Sequence, residues 1–215
     1  MKLVFSSSLH YSYFSSLKLF KKSQPEMWKL FCKEVSTFSG VFANNIFLPV
    51  SAIFCYIKFF KQIFNSAKLY NLYWESNKDI ILKRLDDLFG YKLQNKTYIA
   101  YICVTPLFIR NIKKRFFLLP TNSSFDRIVE IIIHELSHFY FYQHKLVQRY
   151  DMELVWKLSE QIVPQMIENR FSDICLPSNS YIENPSEVQQ QWINRWINGE
   201  CTFEKLLFET IVRSR

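Results

Sequence analysis

The chain has 215 residues, 49% of them apolar and 18% aromatic, so it can bury a sizeable core and is not a disordered chain. Only 3 glycines are present, spaced far apart, which argues against a glycine-rich all-β barrel and excludes a phosphate-cradling glycine loop. The net charge is +8, but Lys and Arg occur in short groups such as Lys113-Lys114-Arg115, which reads as a solvated surface rather than a nucleic-acid footprint.

The five cysteines (Cys32, Cys55, Cys103, Cys175 and Cys201) are scattered and form no CxxC pair. That pattern is neither a disulfide framework nor a cysteine metal site, and it predicts a reducing, cytoplasmic setting. The N-terminal apolar stretch is interrupted by Ser6-Ser7-Ser8 and makes no convincing signal peptide. Residues 36–57 carry no charge and are long enough to span a bilayer, yet hold Asn44, Asn45 and Pro49. Buried helices are the preferred reading there, with contact to a membrane surface left open.

Along the chain, residues 1–90 read as mostly helical. Pro25 to Phe38 and Ala52 to Asn71 carry apolar residues at helical spacing, and Asn77 to Phe89 forms a further amphipathic helix with Gly90 as its C-cap. Thr97 to Thr105 (TYIAYICVT) is rich in β-formers and predicts a strand; Arg115 to Leu119 predicts a second, stopped by Pro120. Ser123, with Asp126 three residues on, offers a helix start. A long helix follows, from about Ser124 to Lys145. Another spans Asp151 to Asn169 around Pro164. Two more lie near Ser186–Asn198 and Thr202–Val212, with Gly199 ending the first.

The chemistry concentrates in His134-Glu135-Leu136-Ser137-His138. Residues four apart lie one turn apart on one helix face, so both imidazoles can reach a single tetrahedral cation. Zinc takes neutral imidazole and, in catalytic sites, keeps a position for water. Glu135, beside the first histidine, can take a proton from that water without ligating the metal. The surrounding Ile131-Ile132-Ile133 and Phe139-Tyr140 are uncharged, as a buried helix with one polar stripe requires.

On these residues the sequence resembles the zincin metallopeptidases, whose hallmark is HExxH. The likeness is strong over Ile131 to Tyr140 and weak over residues 97–170. It implies an α+β fold, mostly helical, with a small β-sheet packed on the HExxH helix. The chain would then be one zincin-like domain over residues 1–215: a helical N-terminal part (1–90), a catalytic core (97–170) and C-terminal helices (175–215). It also implies a bound Zn2+ and a peptide or protein substrate.

For the third ligand the resemblance offers two branches. His144 stands at the metzincin spacing, but Phe141 replaces the glycine at which that branch turns out of the helix, so His144 is expected to point away. The gluzincin branch takes a Glu from the next helix. Glu160 is preferred, with Glu153 and Glu168 as competitors; in that branch an Asp stands four residues beyond, where this chain has Pro164. The strand Arg115–Leu119 would be either the substrate-binding edge strand or an interior strand. Tyr140, Tyr142 and Arg149 are candidates for stabilising the oxyanion, and the sequence selects none of them. Two other functions fit the sequence: a zinc-binding regulator without proteolysis, and a basic helical module for nucleic acid or a membrane surface in which HExxH is fortuitous.

Overall fold

The structure, a computed structural model, describes residues 1–6, 48–103, 110–121, 123–175 and 185–212, with only the backbone of residues 48–59. The helix expected over Pro25–Phe38 and residues 36–47 of the uncharged stretch lie outside the described residues. Among the described residues, no helix is long and apolar enough to cross a membrane.

The fold is α+β and mostly helical, with one mixed sheet. The chain divides into two compact units. One comprises Lys2–Glu75 and Thr97–Ser123; the other comprises Met1, Ser76–Lys96 and Ser124–Arg215.

The first unit holds the sheet: β1 (Lys2–Ser6), β2 (Thr97–Cys103), β3 (Arg110–Asn111) and β4 (Phe116–Pro120). Their order is β1-β2-β4-β3. β1 and β4 run parallel to β2, and β3 pairs antiparallel with β4. The two inner strands lack polar alternation because both their faces are covered, as parallel strands require. Every residue of β4 is buried. The Arg115–Leu119 segment is therefore an interior strand: the edge-strand reading fails because β3 lies outside it. The outer strand is only two residues long and polar, a form that discourages further pairing.

β1 is a strand within residues 1–90, a stretch whose other described residues are almost all helical, as expected. Leu3-Val4-Phe5 is a short β-forming run, too brief to show a period, and it acquires its partner at β2 from more than 90 residues away. The expected pair of helices over 52–71 and 77–89 is in fact one helix, α1 (Leu48–Phe89). In the sheet unit it buries Ile63, Tyr70 and Trp74; the Tyr70 hydroxyl donates to the Pro120 carbonyl at 3.3 Å. Residues 72–76, left between the two expected helices, are helical too, and the buried positions keep helical spacing through Ile81, Leu85 and Leu88. Gly90 ends the helix as expected: its φ is +75° and its N–H donates to the Asp86 carbonyl at 2.9 Å.

Among the described residues, the second unit holds the end of α1 and the α-helices α2 (Phe125–Gln143), α3 (Met152–Arg170), α4 (Glu187–Ile197) and α5 (Phe203–Leu207), the last running into a π-turn over Phe208–Val212. Each start has a side-chain cap. Ser124, rather than Ser123, caps α2 by accepting from the Arg127 N–H. Asp151 caps α3, Thr202 caps α5, and Ser186 with Gln189 forms a reciprocal capping box on α4. Such caps contribute about 1 kcal/mol each.

An aromatic cluster fastens this unit. The Phe89 ring lies 5.1 Å from Tyr140, 5.5 Å from Trp196 and 4.7 Å from Phe203, and the Trp196 indole donates to the Leu88 carbonyl at 2.8 Å. Thirteen of the 19 residues of α2 are buried, His138 and Glu135 among them.

Candidate metal centre

His134 and His138 lie on α2, and their Nε2 atoms come within 2.9 Å of each other. The helical spacing alone accounts for this: one turn places the rings over one another, with centroids 4.7 Å apart. The third member comes from α3. Glu160 Oε2 is 3.5 Å from His134 Nε2, and Glu160 Oε1 is 3.4 Å from His138 Nε2. The carboxylate thus faces both imidazoles at once, and the three residues form a group able to hold a metal ion.

The fit can be judged from the edges of the donor triangle. Ligands about 2.0–2.1 Å from a tetrahedral cation stand about 3.3 Å from one another. The His–His separation of 2.9 Å is a few tenths of an ångström short of this; the His–Glu separations of 3.5 and 3.4 Å are near it but end on different oxygens of the carboxylate, Oε2 toward His134 and Oε1 toward His138. Two imidazoles and a carboxylate suit zinc and also other first-row divalent ions, so the donor set by itself does not name the metal.

Burial is graded across the group. The His138 side chain is 0% exposed, Glu160 11% and His134 22%. Access to the cluster is therefore on the His134 side. Glu135 is buried as well, at 3%, a depth at which carboxylates are rarely found unless they are paired. Ser137, the remaining polar residue of the motif, is structural: its hydroxyl donates to the Ile133 carbonyl one turn back, at 2.7 Å.

The competing ligands are elsewhere. Glu153 is exposed and 3.8 Å from Lys157, and Glu168 is exposed near the end of α3. His144 does not continue the helix as expected; α2 stops at Gln143, and His144 is its C-cap in extended conformation. Even so it stays away from the cluster, with its ring 5.6 Å from Tyr91 and 5.5 Å from Phe203. Burial holds the His144 imidazole below its usual pKa, against an opposing pull from Glu204. Its Nδ1 accepts the Leu146 N–H at 3.3 Å, which requires the neutral ring.

Pro164 does not break α3, which runs through it without interruption. Having no N–H, it cannot donate to the carbonyl of residue 160 one turn back.

Of the residues considered for an oxyanion, Tyr140 is committed to packing. It is buried, and its hydroxyl donates to Asp86 Oδ1 at 2.6 Å. Arg149 is exposed on a short 3-10 turn, Val147–Arg149. Tyr142, one turn beyond His138, is half-buried with its ring 6.4 Å from that imidazole. Cys175 is not suited to act as a nucleophile: it is buried, and its thiol is pushed up to about 12 by burial and the neighbouring carboxylates Glu130, Asp126 and Asp173. In comparisons with known proteins, no family model matches the chain, and neither a curated protein nor a solved structure matches it.

Proposed function

We propose that the protein is a zinc-dependent metallopeptidase in which His134, His138 and Glu160 hold the metal and Glu135 is the general base. The observation that carries this reading is the convergence of Glu160, from α3, on both imidazoles of the α2 motif at 3.4 and 3.5 Å. A fortuitous HExxH would have no reason to meet a third donor of the right chemistry.

Zinc bound there would supply a polarised water and a positive charge for the developing oxyanion. His134 and His138 would ligate through neutral imidazole nitrogens and Glu160 through its carboxylate. Glu135 takes the proton of the attacking water and delivers it to the leaving amine. The substrate is a peptide or protein.

Metal analysis of the purified protein tests the site: zinc near one per chain, lost in His134→Ala and in Glu160→Ala. Glu135→Gln tests the chemistry. It should keep its zinc and lose peptide hydrolysis by about 100- to 10,000-fold. Zinc retained in Glu160→Ala would overturn the ligand assignment.

A second reading, a zinc-binding regulator without proteolysis, draws on the complete burial of His138 and the low exposure of Glu160. It shares the metal test. A wild-type protein that holds zinc but cleaves none of a diverse peptide library would decide for it.

A further inference from the structure

The part of α1 that belongs to the sheet unit has two faces. Ile63, Tyr70 and Trp74 are buried and share one of them. Lys61, Phe64, Lys68 and Leu72, three or four residues apart, form an exposed stripe turned away from it. Phe60 and Leu69 flank that stripe, and the Phe60 ring stacks on Phe64 with centroids 6.4 Å apart. Phe60, Phe64, Leu69 and Leu72 are each between 47% and 58% exposed. Exposed apolar residues scattered singly are ordinary, but four in succession along one helix make a patch.

The charges of this stretch are of one sign. In the helical unit Arg84, Arg127, Lys157, Arg195 and Lys205 each face a carboxylate. Along α1 the sequence supplies none: no Asp or Glu occurs between Glu34 and Glu75, and Lys58, Lys61 and Lys68 are the only charged residues there. The chain reaches Lys58 through residues 36–57, which carry no charge at all.

Apolar side chains alone would suit a protein partner, and cations alone a soluble polyanion. A helix face that interleaves the two is complementary to a layer of phosphates with hydrocarbon beneath it. Lysine serves there because its stem lies along apolar groups while its ammonium reaches the phosphates.

We propose that α1, from Phe60 to Leu72, binds the surface of an anionic phospholipid bilayer. Phe60, Phe64, Leu69 and Leu72 enter the boundary between headgroups and acyl chains, and Lys61 and Lys68 pair with lipid phosphates. The helix lies along the surface; among the described residues no helix is long and apolar enough to cross.

The test is co-sedimentation of the purified full chain with two kinds of vesicle, phosphatidylcholine alone and phosphatidylcholine mixed with phosphatidylserine. Wild type should partition to the mixed vesicles about tenfold more strongly, and added salt should weaken that preference. Lys61→Gln with Lys68→Gln should reduce the preference to about twofold. Phe64→Ser with Leu69→Ser should weaken binding to the mixed vesicles by about tenfold, with the melting temperature unchanged because both side chains are exposed. Val188→Ser, at an equally exposed apolar position on α4, should leave binding intact. Absence of vesicle binding, or equal binding to the two kinds, would overturn the proposal. So would full binding in the Phe64 and Leu69 double variant, or loss only in Lys113→Gln with Lys114→Gln, which would place the contact at the β3–β4 turn. Binding of duplex DNA but not of vesicles, or a dimer abolished by the Phe64 and Leu69 double variant, would assign the face to another partner and overturn it too.

Discussion

The distances at His134, His138 and Glu160 come from two different causes. The His–His approach is local, set by one turn of helix, and would be present in any helix containing the motif. The approach of Glu160 depends on how α3 packs against α2, and so on every apolar contact between them. Removing Glu160 therefore tests packing and chemistry together. In Glu160→Ala the apparent zinc affinity should fall by at least about 100-fold, beyond the 10- to 100-fold typical of residues that only support a ligand. Competition with a calibrated chelator measures it. Glu153→Ala, at an exposed residue away from the cluster, should leave the affinity unchanged.

His144 offers a separate test at the same scale. Its folded-state pKa lies below its ordinary value because burial disfavours the imidazolium. The unfolded chain therefore binds the proton more readily, and stability rises with pH in this window. The contribution is fully present above about pH 6.5 and is lost as pH falls through the lower, folded-state pKa. His144→Phe should flatten the pH dependence of the melting temperature between about pH 6.5 and 5 relative to wild type. An unchanged difference between those pH values in the variant would show that other groups carry it.

Among the helices, the ends are specified by single residues and the interiors by packing. Gly90 adopts φ +75°, and a Cβ there would meet nothing within 4 Å, so the cost of Gly90→Ala is backbone strain alone. About 1 kcal/mol is expected, visible as a lower denaturation midpoint with unchanged slope. Pro164 is the opposite case: a residue that disfavours helix inside one that persists. Pro164→Ala removes a ring that disfavours a helix interior and restores a backbone N–H, and should raise the melting temperature. A fall in melting temperature would mean that the proline ring is itself part of the packing of α3.

For the whole molecule, a ligand that binds only the folded chain stabilises it by mass action. At free zinc about 1,000 times its dissociation constant the gain is about 4 kcal/mol, and a chelator should remove it. Thermal unfolding with and without chelator is expected to show a clear fall in melting temperature for wild type and almost none for His134→Ala. Equal shifts in both would place the metal elsewhere.

The sequence by itself determined what depends on neighbours in the chain. The helix period put both histidines on one face, glycine and hydroxyl residues marked most helix ends, and uninterrupted apolar runs marked β2 and β4. Even there, the choice between Ser123 and Ser124 as cap was a one-residue matter of which backbone turned first. What the tertiary structure decided was everything made by distant partners. Lys2–Ser6 became a strand because β2 was there to pair with it, and Arg115–Leu119 became interior because a two-residue strand covered its other side. His144 left the helix and still missed the cluster, because the aromatic packing of Tyr91 and Phe203 holds its ring. Glu160 could be preferred over Glu153 and Glu168 on the page of letters, but only the packing of α3 on α2 brings its carboxylate within 3.5 Å of both imidazoles. The physical reason is the same throughout: a period encodes direction around a helix axis, whereas the position of one helix along another is set by the summed contacts of side chains far apart in the chain.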